Sequence, residues 1–295
     1  MSLRDVLRVP PATEADLASI DPRSTPGLPG KAGRSPRSWT AEQLVGVGAE
    51  LASYQERLYA SAKAAGSTQR VLLVLQAMDC GGKDGTTKKV AGMVNPQGLH
   101  IVSFGKPTRE EAAHDFLWRI RRALPAPGYI GVFNRSHYED VLVVRVHELV
   151  PPEVWAARYA QINEFERELV DGGMTILKVM LHISAKEQRE RLLARLADPT
   201  KHWKYNPGDV DERRLWPAYQ QAYQDVLSMC STSAAPWYVV PADRKWYRDW
   251  AVAVLLRETL ADLGLTYPPG DFDPEVERLR LIAPQTPADY ALSRR

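Results

Sequence analysis

Residues 75–90, LQAMDCGGKDGTTKKV, hold the first side chains with a chemical use. A phosphate-binding loop reads Gly, four residues, then Gly-Lys-Ser/Thr. Gly82 and Lys83 fit, but Ala77 stands at the first glycine position and Asp84 at the hydroxyl position. The context suits such a loop. The apolar run VLLVLQA at 71–77 reads as a buried strand, and a helix is expected to open near Lys83. Backbone N–H groups of the turn and the positive end of the helix then make an anion cradle. Gly81, Gly82 and Gly85 permit close backbone approach, and Lys83 reaches the phosphoryl group. Thr86 or Thr87 replaces the missing hydroxyl, and Lys88 adds charge. Taken alone, the same residues also describe a strand-to-helix turn with a surface lysine.

Carboxylates beside a phosphate repel it unless a cation lies between them. Asp79 therefore predicts Mg²⁺, or Mn²⁺ in its place, held by carboxylate and phosphate oxygens together. Asp84 reads more simply as favourable charge at a helix N-terminus. A second group lies in FNRSHYED at 133–140, after a third apolar run. Ligands of open α/β sheets bind beyond the carboxyl ends of strands. Asn134, Arg135 and Glu139 would face the first loop if strands one and three are neighbours. Arg135 offers a planar fork for phosphate oxygens. Asn134 stands where many phosphate-loop enzymes have a metal-linked Asp, and Glu139 would assist the metal through water. His137 and Tyr138 read as structural.

The third group is basic. Arg191 and Arg195 are i,i+4 neighbours on one expected helix, and Lys201 and Lys204 follow in DPTKHWKYNPGDVDERRLW at 198–216. A cationic lid closing on phosphates would stabilise the transferring charge and exclude water. The bland alternative is a solvated basic helix, although Trp203 and Trp216 suggest packing. In HDFLWRIRR at 114–122, Arg119 is the candidate phosphate contact. PADRKWYRDW puts Asp243, Arg244 and Lys245 at the end of a further strand, where Asp243 reads equally as a helix cap.

These side chains need a scaffold of alternating strands and helices. Strands are expected at 71–77, 99–104, 129–134, 174–183 and 237–242. Helices are expected at about 40–65 (opened by a Thr40–Gln43 capping box), 108–123, 152–170, 185–197, 210–230 and 245–263. That order implies a mostly parallel five-stranded sheet with helices on both faces, a three-layer α/β fold. Residues 1–38 read as an irregular arm, 39–268 as one domain with a lid at about 185–216, and 269–295 as a tail. The 295 residues carry net charge +2 and two distant cysteines, Cys80 and Cys230. A polyanion-binding surface must therefore be local, and neither a disulfide framework nor a cysteine metal site is expected. No apolar run is long enough for a membrane span, and the first residues lack a signal-peptide core. The expectation is a soluble cytoplasmic protein.

MDCGGKDGT, VNPQG, HDFLWR, FNRSHYEDVLVVRVH, RLADPTKHWK and PWYVVPADRKWY occur in this order. Together they resemble the polyphosphate kinase 2 family over about residues 40–268. The resemblance implies a P-loop kinase fold like that of thymidylate kinase, with a helical lid. It implies Mg²⁺-dependent, reversible transfer of the terminal phosphoryl group of inorganic polyphosphate to AMP, ADP, GMP or GDP. By motif, Asp79 and Lys83 fall on the family's loop, Asn134 and Arg135 on its second motif, and Arg195, Lys201 and Lys204 on its lid. The Asn-Arg-Ser-His-Tyr-Glu-Asp form is similar to the class III subgroup, which accepts nucleoside mono- and diphosphates. Family members form dimers or tetramers. Ala77 departs from the resemblance, since relatives usually have Gly there.

Two other functions fit the residues: an ATP-dependent kinase of nucleotides or small metabolites on the same fold, and a non-catalytic polyphosphate or nucleotide sensor. No recognition-helix or stacking-platform motif supports nucleic-acid binding.

Overall fold

The computed structural model describes residues 2–29 and 35–283. The first half holds α1 (Leu3–Leu7), α2 (Pro36–Ala65), β1 (Arg70–Gln76), α3 (Lys83–Ala91), β2 (Leu99–Ser103), α4 (Trp118–Arg122), β3 (Ile130–Asn134) and α5 (Val143–Val146). The second holds α6 (Pro152–Asp171), β4 (Met174–His182), α7 (Ala185–Ala197), α8 (Gly208–Glu212), α9 (Trp216–Cys230), β5 (Trp237–Pro241), α10 (Lys245–Ala261) and α11 (Pro274–Ile282). The five strands form one sheet in the order β2-β3-β1-β4-β5, and every pairing is parallel.

The continuous apolar runs follow from burial on both faces. Side chains alternate along β1, so Leu72 and Val74 join Phe165 of α6 and Val226 of α9 in one core. Val71, Leu73 and Leu75 join Leu51 and Leu58 of α2 and Val252 and Leu255 of α10 in the other. The result is three layers. β1 is the central strand, and its carboxyl end opens where the connections diverge to either side of the sheet, the usual place for a ligand.

Three helices differ from expectation. α2 begins at Pro36, with Ser35 Oγ accepting Ser38 N at 3.2 Å. Ser-Pro supplies both the cap and the fixed φ of a first helical residue. Thr40 is buried inside the helix, and its hydroxyl bonds back to Arg37 O. The helix expected over 108–123 is helical only at Glu111–Ala113 and Trp118–Arg122. Extended His114 interrupts it, and Asp115 Oδ1 accepts Leu117 N to open the second turn. The helix expected over 210–230 divides into α8, a 3-10 turn at Arg213–Leu215, and α9 with proline in its first turn.

The described part of the arm lies against the body. Val9 N donates to Trp237 O at 2.8 Å, Arg8 bridges Tyr238 in antiparallel fashion, and His182 Nε2 meets Ile20 O at 3.2 Å. The arm thereby covers the free edge of β5, which would otherwise offer unpaired backbone groups. Residues 30–34 of the expected arm and 284–295 of the expected tail lie outside the described residues. No helix among the described residues is long and apolar enough to cross a membrane.

Candidate active site

The parallel register of β1 and β3 pairs Leu75 with Asn134. That register brings the loop after β1 beside Asn134 and Arg135, and Arg135 N donates to Leu75 O at 3.1 Å. Cys80 and Arg135 both adopt left-handed backbone, with φ of 60° and 65°. Such conformations are costly for non-glycine residues and concentrate at functional sites. The loop runs on through Gly82, φ 106°, into α3.

Lys83 Nζ donates to Ala77 O at 2.8 Å, folded back over its own loop. Burial, and then the charge of Arg135, lower its pKa, against Asp79, Glu139 and Asp84. Arg135 is forked between two carboxylates: Nη2 lies 3.2 Å from Asp79 Oδ1 and Nη1 3.7 Å from Glu139 Oε2. Burial would lower its pKa, but Glu139 and Asp79 outweigh burial and raise it. Asp84 is more than a helix-end charge. Its Oδ1 accepts from Asn134 Nδ2 at 2.7 Å, and its Oδ2 lies 3.6 Å from Lys204 Nζ. One carboxylate thus ties α3 to β3 and to the segment after α7.

These residues line a cleft of about 850 Å³. Gly81, Gly82, Lys83, Gly85, Asn134 and Arg135 form part of its wall, and Arg195, Lys201 and Lys204 reach it from the lid segment. Arg195 Nη1 donates to Lys204 O at 2.9 Å and lies 3.5 Å from Asp209. Lys201, 55% exposed, pairs with Asp198 at 2.6 Å. The hydrogen bonds from Lys201 and then Thr200 hold the Asp198 carboxyl down at about 2. Trp203, expected to pack, is 77% exposed in the cleft, with Lys204 Nζ 4.8 Å from its ring centre.

Four expected phosphate contacts are corrected. Arg191 lies at the cleft but has no N–H left for a ligand. Nε donates to Glu187, Nη1 to Cys80 O and Gly81 O, and Nη2 to Ala242 O and Asp243 O, at 2.6–3.2 Å. It clamps the loop to the end of β5. Arg119 lies outside the cleft lining; it is buried and donates to Gly105 O at 2.9 Å. Thr86, two residues past the hydroxyl position, is fully buried, bonds Asp249 at 3.3 Å and is not among the lining residues, so it does not stand in for the loop hydroxyl. Lys88 is exposed and is not among the lining residues, because α3 turns it away.

Two cleft residues on α10 carry more than the sequence suggested. Arg248 packs over the loop: a Cβ built on Gly82 would lie 1.8 Å from its Nη1, and the φ of 106° there favours glycine. Lys245, noted above only as a strand-end residue, lines the same cleft. The available signal was their i,i+3 spacing at the start of a helix that follows a strand. Asp243 caps no helix: α10 opens on Arg244 without a side-chain cap, and Asp243 instead orients Ser184, the N-cap of α7. It accepts Ser184 N and Oγ, each at 2.8 Å, at the start of α7.

A second cavity, of about 250 Å³, adjoins the first through Asp79 and Arg135. Its walls include Leu142, Tyr219 and Tyr223, with Glu139, Asp209 and Glu212 at the same site. Burial, then Asp79, raises the pKa of Asp209 against Arg195 and Arg135. The donor chemistry suits a hard divalent cation. Asp79 and Glu139 offer carboxylate oxygens, and Asp79 Oδ2 has no hydrogen bond among the described residues. Two carboxylates suffice for Mg²⁺, which takes one or two and fills its remaining positions with water and phosphate oxygens.

A glycine-rich loop and lysine at the end of a central parallel strand, facing an arginine from the next strand and a basic segment, define a P-loop phosphotransferase. The model of the polyphosphate kinase 2 family matches residues 37–264. The chain is 49% identical over 261 residues to an AMP/ADP-polyphosphate phosphotransferase of Meiothermus ruber, covering 88% of this chain and 94% of that protein. It is 44% identical over 230 residues to an ADP-polyphosphate phosphotransferase of Rhodopseudomonas palustris, covering 74% and 78%. The crystal structure of polyphosphate kinase 2 from Arthrobacter aurescens superposes with a TM-score of 0.91 at 46% identity, over 96% of this chain and 98% of that one. The chain belongs to the polyphosphate kinase 2 family, and it is an enzyme with the P-loop kinase fold.

Proposed function

We propose that the enzyme transfers the terminal phosphoryl group of inorganic polyphosphate to nucleoside mono- and diphosphates, AMP and ADP or their guanine equivalents. The observation that carries this reading is the pairing of two cavities of opposite character on either side of Asp79 and Arg135. The large basic cleft suits a polyanion. The small cavity, with tyrosine and aliphatic walls and an acidic rim, repels polyphosphate and suits the nucleoside end of an acceptor. The names of the relatives, which act on polyphosphate with AMP or ADP, support the same substrates.

In transfer, the bond from the terminal phosphorus to its bridging oxygen breaks and the bond to an acceptor phosphate oxygen forms. The polyphosphate shortens by one unit. The acceptor oxygen is already ionised at neutral pH, so positioning and charge neutralisation dominate and no strong base is needed. Lys83, released from Ala77 O, and Arg135 hold the group in transfer. Arg195, Lys201 and Lys204 bind the chain, and closure of this segment excludes water. Asp79 and Glu139 would hold Mg²⁺ or Mn²⁺, which supplies charge neutralisation at the phosphate oxygens. A cytoplasmic homo-oligomer of class III type completes the reading.

The test is to supply polyphosphate with ADP or AMP, and no ATP, across a range of Mg²⁺. Formation of ATP or ADP, abolished by EDTA and restored by Mg²⁺, is expected. Absence of product at every Mg²⁺ concentration overturns the reading. Asp79→Asn should raise the Mg²⁺ needed for half-maximal rate about tenfold or more.

A further inference from the structure

Two cations of α10 enter the cleft with N–H groups to spare: Arg248 is paired with Asp249 through two of its three nitrogens, and Lys245 has no ion pair among the described residues. Arg248 is only 3% exposed, and its Nε and Nη2 both donate to Asp249 Oδ1, at 2.9 and 2.7 Å. Its Nη1 has no hydrogen bond among the described residues and lies over the turn of the phosphate loop, where a Cβ on Gly82 would stand. Lys245, one helical turn earlier on the same face, lines the cleft and has no hydrogen bond or ion pair among the described residues.

The surroundings of Lys245 are cationic. Burial and the charges of Arg191, Arg248 and Lys201 lower its pKa, and of the groups that act on it most only Glu187 opposes them. Glu187 is itself bonded to Arg191 at 2.9 Å. Both residues stand in the first turn of the 17-residue α10, whose dipole adds positive potential. Of the other arginines of the cleft, Arg191 is fully occupied by four carbonyls and Glu187, whereas Arg195, on Lys204 O and Asp209 through Nη1, and Arg135, between Asp79 and Glu139, keep N–H groups for the phosphates assigned to them above. Asp249 and Glu187 offset Arg248 and Arg191, which leaves Lys245 as the uncompensated charge among them; like charges held together are costly, and a bound anion relieves that cost.

We propose that Lys245 and Arg248 form a phosphate subsite on the α10 wall of the cleft. Oxygens of the polyphosphate chain bind Arg248 Nη1 and Lys245 Nζ beside the phosphate loop. The subsite deepens the function proposed above and rests on it for the identity of the anion. It shifts part of the polyphosphate grip from the lid helix, where Arg191 is a clamp, to a rigid helix of the core.

Calorimetric titration with inorganic polyphosphate tests the subsite independently of turnover. Lys245→Gln, at an exposed position, and Arg248→Lys, which keeps the charge but loses the fork, are compared with wild type. Each should weaken polyphosphate binding about tenfold, the size of one lost charge-assisted contact. Lys245→Gln should also flatten the dependence of log Kd on log salt by close to one ion. The melting temperature of Lys245→Gln and the KM for ADP should be unchanged. A folded Lys245→Gln enzyme with wild-type polyphosphate Kd and salt slope overturns the proposal, whatever Arg248→Lys does to folding. Wild type that binds polyphosphate but never transfers from it would defeat the assigned reaction, while the same Kd comparison still decides the subsite.

Discussion

Ala77 lies directly against Gly81: a Cβ built on Gly81 would stand 2.4 Å from Ala77 Cβ and 2.9 Å from Met78 O. The alanine that departs from the loop formula is therefore accommodated by a glycine four residues later. Ala77 packs into the core under the sheet, and the loop closes over it because residue 81 has no side chain. Gly81→Ala should deform the loop and cut kcat by about 10², as a 1 Å misplacement does. Adding Ala77→Gly should restore part of the loss, because the Met78 carbonyl contact remains. A double-mutant cycle on kcat checks the coupling, and strictly additive effects would refute it.

Lys83 gives a pH signature. Burial and Arg135 place its pKa below the ordinary lysine value of 10.5. The charged form is the one that binds phosphate, so kcat/KM should fall as pH rises through that lowered value. The alkaline limb should thus begin earlier than for a free lysine, in a profile that reports the free enzyme. Lys83→Met should reduce kcat by about 10³ with the fold intact by circular dichroism.

Arg191 should behave as a clamp and not as a ligand. Its five N–H groups hold Glu187 and four backbone carbonyls from two loops. Arg191→Met leaves those buried carbonyls unpaired, so the melting temperature and kcat should both fall. The salt slope of polyphosphate binding should stay at the wild-type value, in contrast to Lys245→Gln. A slope lowered by one ion would return Arg191 to the phosphate contacts.

Behind the site, Lys178 Nζ meets Glu166 Oε2 at 2.5 Å, and both side chains are almost fully buried. Tyr138 OH donates to Glu166 Oε1 at 2.8 Å, and His137 Nε2 lies 3.2 Å from it. The network fixes the turn at His137–Asp140 that presents Glu139. Lys178→Met should cost about 3–5 kcal/mol, because it strands a buried carboxylate, and Glu166→Leu in addition should recover much of it. Burial alone would raise the Glu166 pKa, but Lys178 and then His137 hold it below its ordinary 4.5. A depressed carboxylate stabilises the fold above its unfolded pKa, and the contribution is lost as pH falls through the lower folded value. Urea unfolding below about pH 4.5 should therefore show an acid loss of stability that Lys178→Met no longer shows.

Local pattern made much of this molecule legible. The five strands are within a residue or so of their apolar runs, because the inner strands are buried on both faces and are mostly apolar, with Gln76 and Lys178 as buried exceptions, while edge strand β2 is only half-buried. The loop, Asn134 and Arg135 were legible for the same reason: they follow those strands immediately. Helix boundaries were less so where a better cap lay nearby, as Ser35-Pro36 outcompeted Thr40, or where Asp115 and extended His114 divided one expected helix.

The family motifs, the strand runs and the reactive loop could be read from the chain alone, since each is written in residues that are close neighbours along it. Which cations are free to meet a phosphate emerges only on folding. Arg191, Arg119 and Arg248 look alike as letters. The first is consumed by carbonyls at 80, 81, 242 and 243, and the second is buried outside the cleft on Gly105 O, while the third keeps Nη1 in the cleft. A guanidinium's availability is set by acceptors that folding brings from distant segments, and no local pattern encodes where those acceptors arrive.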